Sequence, residues 1–137
     1  MAYLLDSGFL YGFIDDQDEH FDSVSRIFES IKEPIHLPVP AITEVTYFIT
    51  KNLGVEALAA FLKELATTDF LLETPTTADY LRSAEIILKY NDAKLDFVDA
   101  CIFSMAERLN ITKILTIDRR HFHIFRPVHC DSFEIFP

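Results

Sequence analysis

Lys113-Ile114-Leu115-Thr116-Ile117-Asp118 is the stretch on which the fold reading turns. It is a short run of apolar, largely β-branched residues stopped by an acid, which predicts a buried strand over 113–117. The same form stands at the N-terminus, where Ala2-Tyr3-Leu4-Leu5 stops at Asp6. Shorter runs at Ile35–Leu37, Phe70–Leu72 and Phe133–Ile135 read as further strands.

Helical spacing fills the intervals. Ser7 to Ile14 follows Asp6 or Ser7 as N-cap. Phe21, Val24, Ile27, Phe28 and Ile31 repeat at three and four before Pro34. Pro40 sits near the first position of a helix carrying Ile42, Val45, Phe48 and Ile49, which Gly54 ends. Leu58 to Leu65 marks another helix. Thr76 or Thr77 caps one carrying Leu81, Ala84, Ile87 and Leu88. Asp96 precedes the strongest pattern, from Phe97 to Leu109. His121, His123 and His129, interleaved with Phe122 and Phe125, read as a loop. Short strands alternating with helices predict an α/β fold, a parallel sheet covered on both faces, in one domain spanning 1–137.

Composition narrows the function. The chain has 137 residues, thirteen of them Phe, and its glycines are only Gly8, Gly12 and Gly54. No GxGxxG or Walker spacing occurs, so a glycine-rich phosphate cradle is excluded. Twelve Lys and Arg oppose twenty-two Asp and Glu, a net charge of −10. That balance argues against coating a duplex, where affinity comes from basic residues. It suits a basic partner, or a site that gathers carboxylates around a cation. Cys101 reads as a buried free thiol, and with Cys130 it forms no zinc motif. The N-terminus has no basic, apolar leader pattern, and no run reaches the ~18 apolar residues of a membrane span. The expectation is a cytoplasmic protein.

The acids fall in a telling order. Asp6 and Asp118 directly follow predicted strands, and ligands bind outside the carboxyl ends of strands in open parallel sheets. Glu44 lies about a turn into its helix, and Asp96 and Asp99 are three apart at a helix start. Asp6, Asp96 and Asp118 also read as N-caps, Asp99 as a first-turn acid favoured by the helix dipole, and Glu44 as a solvated helical residue. If the acids converge, two unit charges 4 Å apart cost about 4 kcal/mol at an effective dielectric of 20. Either some protonate or a hard cation binds. Oxygen ligands suit Mg²⁺ or Mn²⁺, which could activate water and stabilise a leaving oxygen in phosphodiester cleavage. No Ser-His-Asp or Cys-His grouping competes.

The order Leu-Leu-Asp6-Ser7-Gly8, Thr43-Glu44, Leu-Asp96-Phe-Val-Asp99-Ala and Leu-Thr116-Ile-Asp118-Arg-Arg-His-Phe122 resembles PIN-domain nucleases, most closely the VapC-type toxins of bacterial toxin–antitoxin pairs. The resemblance runs over nearly the whole chain and is most specific from Asp99 to Asp118. It implies a three-layer α/β/α fold with a central, mostly parallel sheet, and Mg²⁺- or Mn²⁺-dependent endoribonuclease activity. It maps the acidic quartet to Asp6, Glu44, Asp99 and Asp118, with Asp96 as an additional acid. Ser7 and Thr116 match the small hydroxyl residues that orient carboxylates or waters. It also implies a homodimer and a small antitoxin, whose basic segment would suit the acidic surface. RNA is then the substrate. Arg119 and Arg120 flank the site and read either as contacts to its phosphates or as surface residues paired with local acids.

Other readings stand beside this one. A PIN protein could process RNA without an antitoxin, or serve as a non-catalytic binding module. A receiver-type switch also carries sheet-end carboxylates, but it wants adjacent acids after its first strand and a Lys after its last, and neither is present. His20 reads as a surface residue at a helix start. Phe9, Phe13, Phe21, Phe28, Phe48 and Phe61 read as core or dimer packing, and Tyr11 and Tyr47 as candidates to line the groove. With five of the twenty-two acids assigned to one pocket, the remainder stands at only about −5 against twelve bases. The net charge then limits how RNA is held without barring it.

Overall fold

A computed structural model describes residues 1–137. Its centre is β1 (Tyr3–Leu5), whose three residues are all buried. Successive strand side chains point to opposite faces. Tyr3 and Leu5 therefore pack into one apolar cluster, and Leu4 packs into another. The neighbouring strand β4 (Lys113–Leu115) divides in the same way, Leu115 to the first cluster and Ile114 to the second.

The chain order explains what covers each face. After β1 come α1 (Ser7–Ile14), α2 (Phe21–Ser30), β2 (Ile35–Pro38), α3 (Val39–Leu53), α4 (Val55–Ala66) and β3 (Leu71–Glu73). Phe9, Val24, Val45, Ile49 and Phe61 from these helices bury the Tyr3–Leu5 face. Next come α5 (Thr77–Lys89), a 3₁₀ turn (Asn91–Ala93), α6 (Phe97–Leu109), β4, α7 (Arg119–Ile124) and β5 (Glu134–Phe136). Ile86, Ile102, Phe103, Phe122 and Phe125 cover the Leu4 face. The result is a three-layer α/β/α arrangement.

The sheet order is β3-β2-β1-β4-β5 and every pairing is parallel. The expectation of a mostly parallel sheet is thus met in full. The chain winds outward through β2 and β3, then returns to the other side of β1 with β4. The switch point therefore lies between β1 and β4, where doubly wound sheets open a crevice at their carboxyl ends. Asp6 follows β1 there, and its N–H donates to the Leu115 carbonyl at 2.9 Å.

Among the helices α6 has the longest buried run, with every residue from Ala100 to Ala106 buried. A helix apolar on all sides belongs between layers, and α6 lies under α5. Its polar residues are satisfied: Ser104 donates to the Ala100 carbonyl at 2.9 Å and meets Ser83 Oγ at 3.0 Å. Ion pairs Arg108–Asp79 (3.0 Å) and Arg82–Glu107 (2.8 Å) fasten α5 to α6. Both cysteines are free, with Cys101 buried. No helix is long and apolar enough to cross a membrane.

The structure departs from the sequence reading in three places. Strand β4 ends at Leu115, two residues short of the expected Ile117, although the Thr116 N–H still donates to the Phe136 carbonyl at 2.9 Å. The segment read as a loop after Asp118 is helix α7, capped by the Asp118 carboxylate accepting from the His121 N–H at 3.2 Å. Its packing supplies the rest: Phe122 and Phe125 lie 4.9 and 4.3 Å from the Phe103 ring. The outer strand β3 is not buried, since Leu71 and Leu72 are both about half exposed.

Candidate metal centre

Asp6 is buried where β1 gives way to α1. A capping acid normally accepts from the second or third helical N–H. Asp6 instead accepts from the Ser7 N–H at 2.8 Å through Oδ1, and from the Thr116 hydroxyl at 2.7 Å through Oδ2. Capping alone does not account for that geometry. Thr116 in turn accepts the Asp118 N–H at 3.0 Å, so one hydroxyl ties the ends of β1 and β4 together.

Glu44, on α3, is held from the other side. The Ser7 hydroxyl donates to its Oε1 at 2.7 Å and lies 3.5 Å from Asp6 Oδ1. Asp99, three residues into α6, forms a capping box with Asp96: the Asp99 N–H donates to Asp96 Oδ1 at 2.9 Å, and the return bond is 3.4 Å. Asp96 is exposed and its carboxylate is occupied as a cap. Asp99 and Asp118 are joined by His121, whose Nδ1 lies 3.3 Å from Asp99 Oδ2 and 3.0 Å from Asp118 Oδ2. These ligand atoms of Asp99, Asp118 and His121 all fall within 4.8 Å of one another. Asp6 and Glu44 lie outside that tight trio and connect to it through Thr116 and Ser7.

The charge crowding registers in the protonation equilibria. Burial first, then Glu44 and Asp118, push the Asp6 carboxyl up to about 6, against the hydrogen bonds from Thr116 and Ser7. Burial, Asp96 and Asp6 push Asp99 up to about 7, with His121 opposing. Carboxylates held like this lack a counter-charge. His121 Nδ1 supplies the plainest sign of a missing partner. It is buried and close to two carboxylates, yet it is out of line for a hydrogen bond to either. A set of hard oxygen donors plus a buried nitrogen without a partner fits a divalent cation.

The remaining candidates divide. Arg119 and Arg120 are exposed at the start of α7. Arg119 donates to the Pro137 carbonyl, and Arg120 lines an open cavity of about 320 Å³ with Lys89, Tyr90 and Asp92. Tyr11 is buried and bonded to Asp15 and Asn52, so it does not line the crevice. Tyr47 is exposed on α3. Phe9 and Phe61 are core, whereas Phe13 and Phe48 are about two-fifths exposed. A larger cavity, about 620 Å³, lies away from the acids among Leu10, Phe13, Ile14, Phe61, Leu65 and Phe70. His121 is the residue that sequence spacing missed. Its place three after Asp118 matters only once α7 is recognised as a helix.

The chain matches the PIN domain family model over residues 3–126. It is 29% identical over 134 residues to Ribonuclease VapC26 of Mycobacterium tuberculosis, covering 98% of this chain and 99% of that protein. Among solved structures it resembles Mycobacterium tuberculosis VapC20, a Sarcin-Ricin loop cleaving toxin, with a TM-score of 0.83 at 16% identity over 95% of this chain and 99% of that one. It also resembles VapBC2 from Rickettsia felis bound to a promoter DNA fragment, with a TM-score of 0.73 at 14% identity over the whole of both chains.

Proposed function

The chain belongs to the PIN-domain family, and from that premise we propose that it is a Mg²⁺- or Mn²⁺-dependent endoribonuclease and the toxin of a toxin–antitoxin pair. The observation that carries this reading is the single network joining Asp6, Glu44, Asp99 and Asp118 at the β1–β4 switch point, through Ser7, Thr116 and His121. The ribonuclease name of the VapC26 relative supports the activity, and the likeness to a toxin–antitoxin complex from Klebsiella pneumoniae, with a TM-score of 0.66 at 18% identity, supports the partner.

In this reading Asp6, Asp99 and Asp118 hold the cation, with Asp96 at the margin because it is already used as a cap. A bound divalent ion supplies positive charge that acidifies water and stabilises a leaving oxygen. Thr116 and the Ser7 N–H fix the two oxygens of Asp6, so that its carboxylate is already oriented. Ser7 holds Glu44, which positions the attacking water and accepts its proton. The water oxygen forms the new bond to phosphorus, the P–O3′ bond breaks, and the 3′ oxygen leaves and takes a proton from solvent water, to which Glu44 returns the one it accepted. The products carry a 5′-phosphate and a 3′-hydroxyl. Arg119 and Arg120 contact flanking phosphates.

The partner is a small antitoxin. Its basic segment lies over the carboxylates, and its apolar side fills the groove of about 620 Å³, whose walls include Leu10 and Ile14 on the same helix that Asp6 starts. A second copy of the chain packs against the apolar side of α5.

The test is cleavage of end-labelled structured RNAs with Mg²⁺ or Mn²⁺, comparing wild type with Asp99→Asn and Asp6→Asn. Metal-dependent cleavage that either substitution abolishes is expected. Equal cleavage by the variants, or by protein in chelator, overturns the assignment.

A further inference from the structure

The histidines of this chain are not alike. His36 Nδ1 meets Glu73 at 2.7 Å on the sheet, His129 Nε2 meets the Ile111 carbonyl at 2.7 Å, and His20 Nδ1 meets Asp18 at 3.2 Å. His123 is exposed. His129 Nδ1 and His121 Nδ1 are both buried without a hydrogen bond, but only that of His121 lies within 3.3 Å of two carboxylates.

The spacing of those atoms is informative. Adjacent ligands of an octahedral ion with bonds near 2.1 Å stand about 3 Å apart. Asp118 Oδ2 and Asp99 Oδ2 lie 3.0 and 3.3 Å from His121 Nδ1. A hydrogen-bonded ion pair would want the same separations but a straight N–H···O line, and that alignment is missing. The arrangement gathers three donor atoms within 4.8 Å of one another while leaving the nitrogen without a hydrogen bond, as donors sharing an ion would stand.

We propose that His121 is a nitrogen ligand of the divalent cation and biases the site toward Mn²⁺ over Mg²⁺. The proposal rests on the cation-dependent reading above and adds to it the identity of one donor and a metal preference. Mg²⁺ demands a near-ideal octahedron of oxygens and gives up its waters reluctantly. Imidazole is a softer donor than oxygen, and Mn²⁺, although the weakest binder among the divalent transition ions, accepts one nitrogen among oxygen donors more readily than the harder Mg²⁺. Replacing one oxygen or water by an imidazole therefore handicaps Mg²⁺ while leaving Mn²⁺ well bound. Helix α7 enforces the arrangement: Asp118 caps it, His121 sits three residues on, and the buried Phe122 locks the ring's approach.

The experiment is metal binding by the full chain without RNA. Mn²⁺ and Mg²⁺ titrations are combined with pulsed EPR of the Mn²⁺ complex, for wild type, His121→Ala, His121→Gln and Asp99→Asn. Wild type should show the coupling of a directly bound imidazole nitrogen, and both His121 variants should lose it. Mn²⁺ affinity should fall about 10-fold or more in those variants, and Mg²⁺ affinity by much less. A wild-type Mn²⁺ complex without nitrogen coupling overturns the proposal whether or not the variants fold. So does coupling that survives in folded His121→Gln. If Asp99→Asn binds both ions as tightly as wild type, the cation reading itself fails, an outcome separate from the loss of His121 alone.

Discussion

The Thr116 hydroxyl donates to Asp6 Oδ2 at 2.7 Å across a fully buried junction, joining residues 110 apart in sequence. The bond lowers the cost of ionising a carboxyl that burial pushes up to about 6. Thr116→Val keeps the shape and removes the donor. Losing such an outer hydrogen bond typically costs about 10–100-fold in metal affinity or activity. The expected result is a loss of that size in kcat/KM at pH 7, with recovery in Thr116→Ser, which retains the hydroxyl. Wild-type activity in Thr116→Val would show that Asp6 needs no positioning from β4.

The crowded acids also set how stability depends on pH. The Asp6 carboxyl is raised from 3.8 to about 6, so between those values the folded chain binds more protons than the unfolded one. Stability is then greatest at low pH in this window and falls as pH rises through the folded value. Asp99, raised to about 7, acts in the same direction. Asp79 and Glu107 are lowered by Arg108 and Arg82. Their contribution is lost only on acidification below the ordinary carboxylate range, so it leaves pH 5–8 untouched. Between pH 5 and pH 8 Asp6 contributes a decline of about 1 kcal/mol, since pH 5 lies one pH unit below its folded value, and Asp99 adds a larger share. In chelator, Tm should drop by about 10 °C from pH 5 to pH 8. Saturating Mn²⁺ should remove the decline, and Asp6→Asn should lessen it while leaving the share that Asp99 contributes. A Tm that rises over this range in chelator contradicts the crowded-acid account.

How much of this was legible in the sequence follows from range. Apolar runs stopped by acids located β1 and β4, because buried parallel strands leave a contiguous local signature. The 3–4 spacings located α1 to α6, with the start of α4 placed three residues late at Leu58. Helix α7 was illegible because its six residues have little apolar periodicity of their own. Phe122 and Phe125 become helical anchors only against Phe103, a contact made in space. Asp6 and Asp118 could be placed at one sheet edge from their position after strands. The bridging by Ser7 and His121 could not, since Ser7–Glu44 and His121–Asp99 join different elements. Exposure of β3 followed from its place at the sheet edge, which no local pattern encodes.

One side of α5 is apolar without a cover. Leu81 and Leu88, one heptad apart, are 67% and 74% exposed. Beside them Tyr80 stacks on Phe97 at 6.2 Å with planes 10° apart. A monomer gains nothing from presenting this stripe to water, and a second copy would bury it. Wild type should elute at twice 15.8 kDa by light scattering. Leu81→Glu combined with Leu88→Glu should give the monomer mass with unchanged far-UV circular dichroism. A monomeric wild type at tens of micromolar rejects this face as a self-association surface.

Gly8 couples α1 to the Thr116–Asp118 turn through space alone. A Cβ there would lie 2.9 Å from Ile117 Cγ1 and 3.0 Å from its Cδ1. Alanine is the better helix former by about 1 kcal/mol, so helix propensity predicts a gain from Gly8→Ala. Overpacking typically costs about 1–3 kcal/mol, so the net Tm change should be small or negative. The larger effect falls on activity. Ile117 lies between Thr116 and Asp118, and displacing it shifts both away from Asp6 and His121. Gly8→Ala should therefore lose cleavage well beyond its loss of stability. Ile117→Val removes only Cδ1 and should rescue little. Ile117→Ala removes both close atoms and should restore activity in the Gly8→Ala background, a coupling of about 0.5–3 kcal/mol in a double-mutant cycle. Additive effects of the two substitutions would mean that α1 and the turn move independently, and that Gly8 matters only for its own helix.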